Sequence, residues 1–293
     1  MSGDSEAWRS WPLAQREREY SPSSCASSSA PILAEYTSRS REAERNHPCQ
    51  KNLSWGHGSS ETFDFFPAAS RDAPLLLFIH GGYWQDLSKD DSLFGAPDCV
   101  ANGIAYAAIE YTLAPRASIA TIVDQCRRAV ASLQRQAATL GFDCHRLYIA
   151  GSSAGAHLAA MLLVDGWHEI YGVRADAISG AVLLSGIYDL APLVGTYIDA
   201  PLQFCSADVA ALSPIRLPHG QAVPTIVSWG EFETGEFKRQ SRVYAEKLRA
   251  QGFPVSAFEA AGVNHFNIVF GLADRTTTLG RATLELIAGM HPK

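Results

Sequence analysis

Five small residues, Gly151-Ser152-Ser153-Ala154-Gly155, separate a buried-strand pattern from a helix pattern. The apolar residues 147–150 precede them and the helix-forming residues 156–164 follow them. A sharp strand-to-helix turn needs small flanking residues, and it lifts the central side chain clear of the backbone. The pattern therefore predicts a nucleophile elbow, with Ser153 as a candidate nucleophile for acyl transfer.

A second turn follows the apolar strand pattern at 75–79 and reads His80-Gly81-Gly82-Tyr83-Trp84. Two consecutive glycines leave backbone N–H groups free to point into a cleft. In serine acyl-transfer enzymes with an elbow, one oxyanion donor comes from such a loop and the other from the amide after the nucleophile. We expect these donors to be the amides of Gly82, Tyr83 and Ala154. We interpret His80 as a brace for the loop.

The candidate base lies on a loop after the last strand pattern. Residues 255–261 read as a strand, and His265 follows them, before a predicted C-terminal helix. In an elbow enzyme of this kind the triad follows the order serine, acid, histidine along the chain. The other histidines lie before the first core strand, within the elbow helix or in polar surroundings. We therefore predict His265 as the base.

The candidate acid is found among carboxylates that follow two strand patterns. Residues 225–229 read as a strand and lead into an acidic loop that contains Glu231 and Glu233. One carboxylate must hold the tautomer of the histidine. We choose Glu233, with Asp189 after the strand at 181–184 as the main competitor and Glu231 behind it.

Strand and helix patterns alternate along most of the chain, which favours a parallel sheet with helices on both faces. At 293 residues, 47% hydrophobic and 18% charged, the chain is long enough for one large domain of this class. We assign residues 61–293 to an α/β catalytic domain. Residues 1–60 are polar, and we expect a partly helical cap over the active-site face, with an amphipathic helix around Ile32, Leu33 and Tyr36.

Charge and composition argue against several function classes. The net charge is −6 and no basic run occurs, so nucleic acid and anionic membranes are poor partners. The first twenty residues are too charged for a secretory signal, and we expect a cytoplasmic protein. The six cysteines lack metal-ligand spacing and no dinucleotide, phosphate-binding or zinc-hydrolase motif occurs, so we expect no metal and no cofactor.

Several short segments together resemble the arylformamidase (kynurenine formamidase) branch of the α/β-hydrolases. They occur in order over nearly the whole chain. The segments are Glu19 to Ser24, His80 to Trp84, Glu110 to Pro115, Gly151 to Leu158, Ser185 to Leu190, Glu236 to Ser241 and Asn264 to Phe266. The resemblance implies the α/β-hydrolase fold and a triad of Ser153, Glu233 and His265. That family usually has Asp where this chain has Glu233, and both acids support such triads.

The resemblance further implies a serine hydrolase that cleaves an N-formyl aromatic amine, such as N-formylkynurenine, in tryptophan catabolism. The leaving-group side would then be aromatic, and Tyr83, Trp84, Tyr188 and Phe266 are the candidates to line it. The partner would be a small aromatic amide or ester, and the sequence is compatible with a homodimer. A carboxylesterase or other small-amide hydrolase with the same triad is the alternative. A non-catalytic ligand receptor is a third reading, which the complete set of triad residues disfavours.

Overall fold

A computed structural model describes residues 7–25 and 29–290 of the chain. Its centre is an eight-stranded sheet in the order β1-β2-β4-β3-β5-β6-β7-β8. Strands β3 to β8 run parallel, whereas β2 pairs antiparallel with both β1 and β4. The strands are β1 Gln50–Ser54, β2 Thr62–Phe66, β3 Ala73–Ile79, β4 Ala105–Ile109, β5 Phe142–Ser152, β6 Gly180–Leu184, β7 Thr225–Phe232 and β8 Val255–Asn264.

Helices cover both faces of the sheet, as the alternating patterns predict. The core on one face includes residues of α4 to α7, and the core on the other face includes residues of α2, α3 and α8. Strands β3, β4 and β6 are buried along their whole length, because both of their faces pack against helices. The helices are α1 Leu13–Glu19, α2 Ala30–Asn46, α3 Ala96–Ala101, α4 Ile119–Leu140, α5 Ala154–Leu162, α6 Ser206–Leu212, α7 Gly235–Ala250 and α8 Thr278–Ile287.

Local sequence signals set the ends of the longest helix. The side chain of Ser118 accepts a hydrogen bond from the amide of Thr121 and caps the start of α4. Gly141 adopts φ 81° after its last turn, a conformation that glycine adopts without steric cost.

The two antiparallel strands β1 and β2 were not identified in the sequence. Strand β1 is polar and forms the edge of the sheet, with side chains that alternate between exposed and half-buried. Strand β2 carries Asp64, which is fully buried and accepts ion pairs from Lys51 at 2.9 Å and Lys89 at 3.0 Å. The two lysines neutralise a carboxylate that would otherwise be costly to bury.

The described part of residues 1–60 contains helices α1 and α2 as well as β1. Helix α2 buries Tyr36, Ser40 and Ala43 against the sheet domain and leaves most of its charged residues in solvent. The boundary that the sequence suggests at residue 60 falls between β1 and β2, which pair with each other.

Two further features bear on the expected location and chemistry. None of the helices in the described parts of the chain is long and apolar enough to cross a membrane. All six cysteines are free thiols, and two of them, Cys99 and Cys126, are buried in the core.

Candidate active site

The three predicted triad residues and one further serine follow the carboxyl ends of neighbouring parallel strands. Ser153 follows β5, Ser185 follows β6, Glu233 follows β7 and His265 follows β8. The strands pair in register close to these ends, with Ser152 opposite Leu184 and Phe232 opposite Asn264. Because the ends of parallel strands meet at one edge, residues from distant parts of the sequence lie side by side there.

The elbow at Ser153 is a strained turn. Ser153 adopts φ 56° and ψ −119°, a backbone conformation that non-glycine residues rarely adopt. A Cβ on Gly151 would lie 2.2 Å from the carbonyl oxygen of Gly155, and a Cβ on Gly155 would lie 2.0 Å from that of Ile79. Gly151 is therefore required for the turn to close on itself, and Gly155 is required for the turn to pack against β3.

The imidazole of His265 contacts the predicted acid directly. Its Nδ1 lies 3.0 Å from Oε2 of Glu233. The side chains of the two residues are 6% and 0% exposed, so the contact is shielded from water. The ring of Phe237 packs on the imidazole, with 4.3 Å between ring centroids. These contacts fix both the position and the tautomer of the histidine.

The other oxygen of Glu233 is anchored by two hydrogen bonds. The hydroxyl of Ser185 donates to Oε1 at 2.6 Å, and the amide of Gly230 donates to the same oxygen at 2.5 Å. Ser185 is thus a site residue that no motif in the sequence indicated. Its only local signal is that it directly follows β6, next to the elbow strand in the sheet order.

The two competing carboxylates, Asp189 and Glu231, contact other residues. Asp189 forms an ion pair with Arg216, with 2.9 Å between the closest atoms. Glu231 is exposed and accepts a hydrogen bond from the amide of Gly262 at 2.8 Å. Among the residues that the structure describes, neither carboxylate forms a hydrogen bond with His265.

Hydrogen bonds to its carbonyl groups hold the loop after β3 in place. The hydroxyl of Tyr111 donates to the carbonyl oxygens of His80 and Gly81 at 3.0 and 3.1 Å. The carbonyl of Gly82 accepts from the amides of residues 85 and 86. Because N–H and C=O point in opposite directions across a peptide, these bonds turn the amides of Gly82 and Tyr83 away from Tyr111 and from the 85–86 turn.

The buried side chain of His80 supports this loop. It is 1% exposed, its ring stacks on that of Tyr111 at 4.1 Å between centroids, and its Nε2 lies 3.1 Å from Oε1 of Glu110.

The amide of Ala154 completes the set of candidate donors, because it lies at the first turn of α5, where backbone amides lack helical partners.

A cavity of about 300 Å³ opens between these loops. The candidate nucleophile, base and oxyanion loop all contribute to its wall, as do Tyr83 and Phe266. Residues that precede β1, among them Leu33 and Tyr36, also line it. Among the described residues that line the cavity, none is Lys or Arg, and Asp86 carries the one carboxylate.

Two of the predicted substrate contacts lie elsewhere. Trp84 is fully buried and packs edge-on against His157, with 5.0 Å between centroids. Tyr188 is fully buried and stacks on Tyr244 at 4.1 Å. The structure thus brings Tyr83 and Phe266 to the cavity and places Trp84 and Tyr188 in the core beneath it.

One cluster of metal-binding side chains occurs in the parts of the chain that the structure describes. Atoms of Asp143, Cys144 and His145 lie within 4.8 Å of one another. These residues are at the start of β5, the opposite end of that strand from Ser153. They are consecutive and partly exposed, and they do not border the cavity.

Comparison with known proteins identifies several relatives. The BD-FAE family model matches residues 65–177. A kynurenine formamidase of Danio rerio is 34% identical over 96% of this chain and 98% of its own length, and that of Salmo salar is 33% identical over the same shares. Esterase LipQ of Mycobacterium tuberculosis is 28% identical over 75% of this chain and 55% of its own length.

A solved structure confirms the fold. A Silicibacter protein assigned as a thioesterase superimposes with a TM-score of 0.81 at 24% identity, and the match covers 93% of this chain and 98% of that one. The predicted α/β-hydrolase fold is therefore correct, and the two kynurenine formamidase relatives show that the chain is a hydrolase. At more than 30% identity over nearly their full length, the relatives establish that this chain belongs to the kynurenine formamidase family of α/β-hydrolases.

Proposed function

We propose that this hydrolase cleaves an N-formyl aromatic amine to the free amine and formate, with Ser153, His265 and Glu233 as its triad. The observation that carries the proposal is the shielded 3.0 Å contact between His265 and Glu233, beside a cavity that Ser153 also lines. The two fish relatives are named kynurenine formamidase, which supports N-formylkynurenine as the substrate. That reaction belongs to tryptophan catabolism.

In the first half of the proposed reaction, the hydroxyl oxygen of Ser153 attacks the formyl carbon. The serine proton passes to the ring nitrogen of His265 that does not face Glu233, and Glu233 stabilises the resulting imidazolium. The carbonyl oxygen becomes an oxyanion, for which the amides of Ala154, Gly82 and Tyr83 are the candidate donors. His265 then returns the proton to the amine nitrogen as the C–N bond breaks, which leaves a formyl ester on Ser153.

In the second half, water takes the place of the amine. His265 removes a proton from the water, the hydroxide adds to the formyl ester, and the proton returns to the oxygen of Ser153 as formic acid leaves and ionises to formate in solution. Every proton transfer uses the same imidazole, so the reaction needs no group beyond the triad and the oxyanion donors.

The cavity suits a small acyl group attached to an aromatic ring. Its volume of about 300 Å³ is at the lower end of the range for ligand pockets, about 300–1,000 Å³. Tyr83 and Phe266 contribute to its wall and are the candidates to contact an aromatic leaving group. A formyl group needs very little space on the acyl side.

We also propose the division of the chain into a cap, residues 1–60, and a catalytic domain, residues 61–293. The cavity wall supports a cap, because Pro22, Ser23, Ser29, Leu33 and Tyr36 contribute to it. The cytoplasmic location, the homodimer and the lack of nucleic-acid or membrane partners stay predictions.

A direct assay tests the proposed reaction. Purified protein is incubated with N-formylkynurenine, and the release of kynurenine and of formate is measured together with a Ser153→Ala control. We expect equimolar products from the wild type and none from the variant. Release of kynurenine by Ser153→Ala at the wild-type rate would contradict the serine mechanism.

Carboxylester hydrolysis is the second candidate function. The similarity to esterase LipQ favours it, and the proposed triad would act on an ester in the same way. Comparison of kcat/KM for N-formylkynurenine and for phenyl acetate distinguishes the two. A formamidase should favour the formyl amide even though phenolate is the better leaving group.

A further inference from the structure

Tyr20 links the N-terminal segment to the loop after β3 and to helix α7, which follows the candidate acid. The residue is fully buried and belongs to the motif at 19–24 that the catalytic mechanism leaves without a role. Its hydroxyl donates to Oε2 of Glu236 at 2.6 Å and accepts from Nε2 of Gln240 at 2.8 Å. Its backbone carbonyl accepts a hydrogen bond from the hydroxyl of Tyr83. A single residue therefore contacts both the oxyanion loop and the start of helix α7.

The contacts at α7 lead to the candidate acid by two routes. The hydroxyl of Thr234, which directly follows Glu233, donates to the carbonyl of Glu19 at 2.5 Å. The second route runs through Oε1 of Gln240, which accepts from the amides of residues 188 and 189 at 2.6 and 2.8 Å. Those amides belong to the loop that begins with Ser185, the serine that donates to Glu233.

The contact with the oxyanion loop involves a residue in an unfavourable backbone conformation. Tyr83 adopts φ 51°, which an aromatic residue keeps only when its surroundings hold it there. Its amide is a candidate oxyanion donor, and its side chain is tied to Tyr20. Loss of that tie would free the loop to relax away from the position that the oxyanion needs.

Charge and burial keep the hydroxyl of Tyr20 in its donor role. Arg239 pairs with Glu236 at 2.7 Å, so the carboxylate that accepts from Tyr20 is compensated. Burial and then the charge of Glu236 raise the pKa of Tyr20 well above its usual value. The hydroxyl therefore stays protonated across the working pH range.

From these contacts we propose that Tyr20 is a positioning residue, which fixes the oxyanion loop relative to the acid and the histidine. The inference rests on the proposed function, because it assumes that the site forms a tetrahedral oxyanion at Ser153. Tyr20 does not line the cavity and touches none of the reacting atoms. Its loss should therefore lower kcat and leave KM nearly unchanged.

Three tyrosine-to-phenylalanine variants test the proposal. Tyr20→Phe removes the hydroxyl contacts with Glu236 and Gln240 at α7, and Tyr83→Phe removes the contact with the carbonyl of Tyr20 but keeps the Tyr83 amide. Tyr148→Phe is the matched control. The buried hydroxyl of Tyr148 donates to the backbone carbonyl of Ile287 at 3.2 Å, and neither residue lines the cavity. Measured quantities are kcat, KM, Tm and the inhibition constant of an aryl trifluoromethyl ketone, which adds to a serine and forms an oxyanion.

We expect Tyr20→Phe and Tyr83→Phe to lose about tenfold to a hundredfold in kcat, the scale of a small misplacement of catalytic groups. KM should change less than twofold, and ketone binding should weaken in proportion to kcat. Tyr148→Phe should lower Tm and keep wild-type kcat. Wild-type kcat and ketone binding in folded Tyr20→Phe, or in Tyr83→Phe if Tyr20→Phe does not fold, would overturn the proposal.

The ketone separates this proposal from the proposed function. If the wild type hydrolyses aryl esters but not formyl amides, the formamidase assignment fails, and the role of Tyr20 is read from ester turnover and ketone binding. If the wild type binds the ketone without turnover of either substrate, ketone binding alone decides the role of Tyr20. A wild type that does not bind the ketone would overturn both.

Discussion

Glu233 supports His265 through one carboxylate oxygen and is held in place through the other. Oε2 lies 3.0 Å from Nδ1 of the histidine, and Oε1 accepts from Ser185 and from the amide of Gly230. Glutamate is one methylene longer than the aspartate that is usual at this position in the kynurenine formamidase family. The longer side chain has one more rotatable bond, so its carboxylate needs a defined anchor. Ser185 and Gly230 provide that anchor.

The first prediction concerns the acid. Glu233→Gln should lower kcat by about 10⁴, the loss seen when the orienting carboxylate of a related triad becomes an amide. Glu231→Gln and Asp189→Asn are the controls and should stay within a few-fold of wild type, since neither side chain contacts His265. A crippled Asp189→Asn enzyme beside an active Glu233→Gln enzyme would reverse the assignment.

The anchor itself yields the second prediction. Ser185→Ala removes one hydrogen bond to a buried carboxylate, and bonds to charged groups contribute about 1.5–3 kcal/mol. We expect kcat to fall by about tenfold to a hundredfold, less than for Glu233→Gln, with KM unchanged. Steady-state kinetics of both single variants and of the double variant measure this. If the serine acts through the acid, the double variant should be no worse than Glu233→Gln, and additive losses would contradict that.

The nucleophile is tested by a pair of neighbouring serines. Ser153→Ala should lose several orders of magnitude in kcat and keep its Tm, because alanine can adopt the same backbone conformation. Ser152→Ala, at the adjacent position on the cavity wall, should retain most of the activity. A tenth or more of wild-type turnover in Ser153→Ala would refute a serine nucleophile.

The charge of the cavity leads to a prediction about substrates. Asp86 lies on the cavity wall and is exposed, so it can pair with the ammonium group of N-formylkynurenine. Exposed ion pairs contribute about 0.2–1 kcal/mol, so Asp86→Asn should raise KM for this substrate by at most about fivefold. Formanilide has no ammonium group, and its KM should not change. An equal rise for both substrates would show that Asp86 acts without charge recognition.

A pH prediction concerns the buried histidine of the elbow helix. Burial lowers the pKa of His157 to about 4, and its Nε2 contacts the carbonyl of Leu212 at 2.7 Å. As the pH falls, the imidazole of this histidine becomes protonated near pH 6.5 in the unfolded chain but only near pH 4 in the folded chain. The stability that His157 contributes is therefore present above pH 6.5 and is lost as the pH falls towards 4. His157→Gln cannot titrate, so the difference in Tm from wild type should shrink over that interval. A constant difference would contradict this.

Local signals in the sequence predicted the elbow, the glycine loop and the strand ends, because each depends on residues adjacent in the chain. The placement of Trp84 could not be predicted in this way. It follows Tyr83 directly, but both residues have positive φ, and Tyr83 lines the cavity whereas Trp84 is fully buried in the core.

Long-range partners explain the other differences. Strand β2 buries Asp64 only because Lys51 and Lys89 reach it from other elements, and no pattern within β2 indicates this. The role of Ser185 likewise depends on the order of β6 and β7 in the sheet, which brings it beside Glu233.

The most direct test of the proposed function is a series of acyl groups. Formyl, acetyl, propionyl and butyryl groups are placed on one aromatic amine and on one phenol, and kcat/KM is measured for all eight compounds. A cramped acyl side should cost about 1–3 kcal/mol for each added methylene, so we predict the highest kcat/KM for formyl and a steep fall towards butyryl in both series. Values that rise from formyl to butyryl in both series would contradict a formamidase and identify an ordinary carboxylesterase.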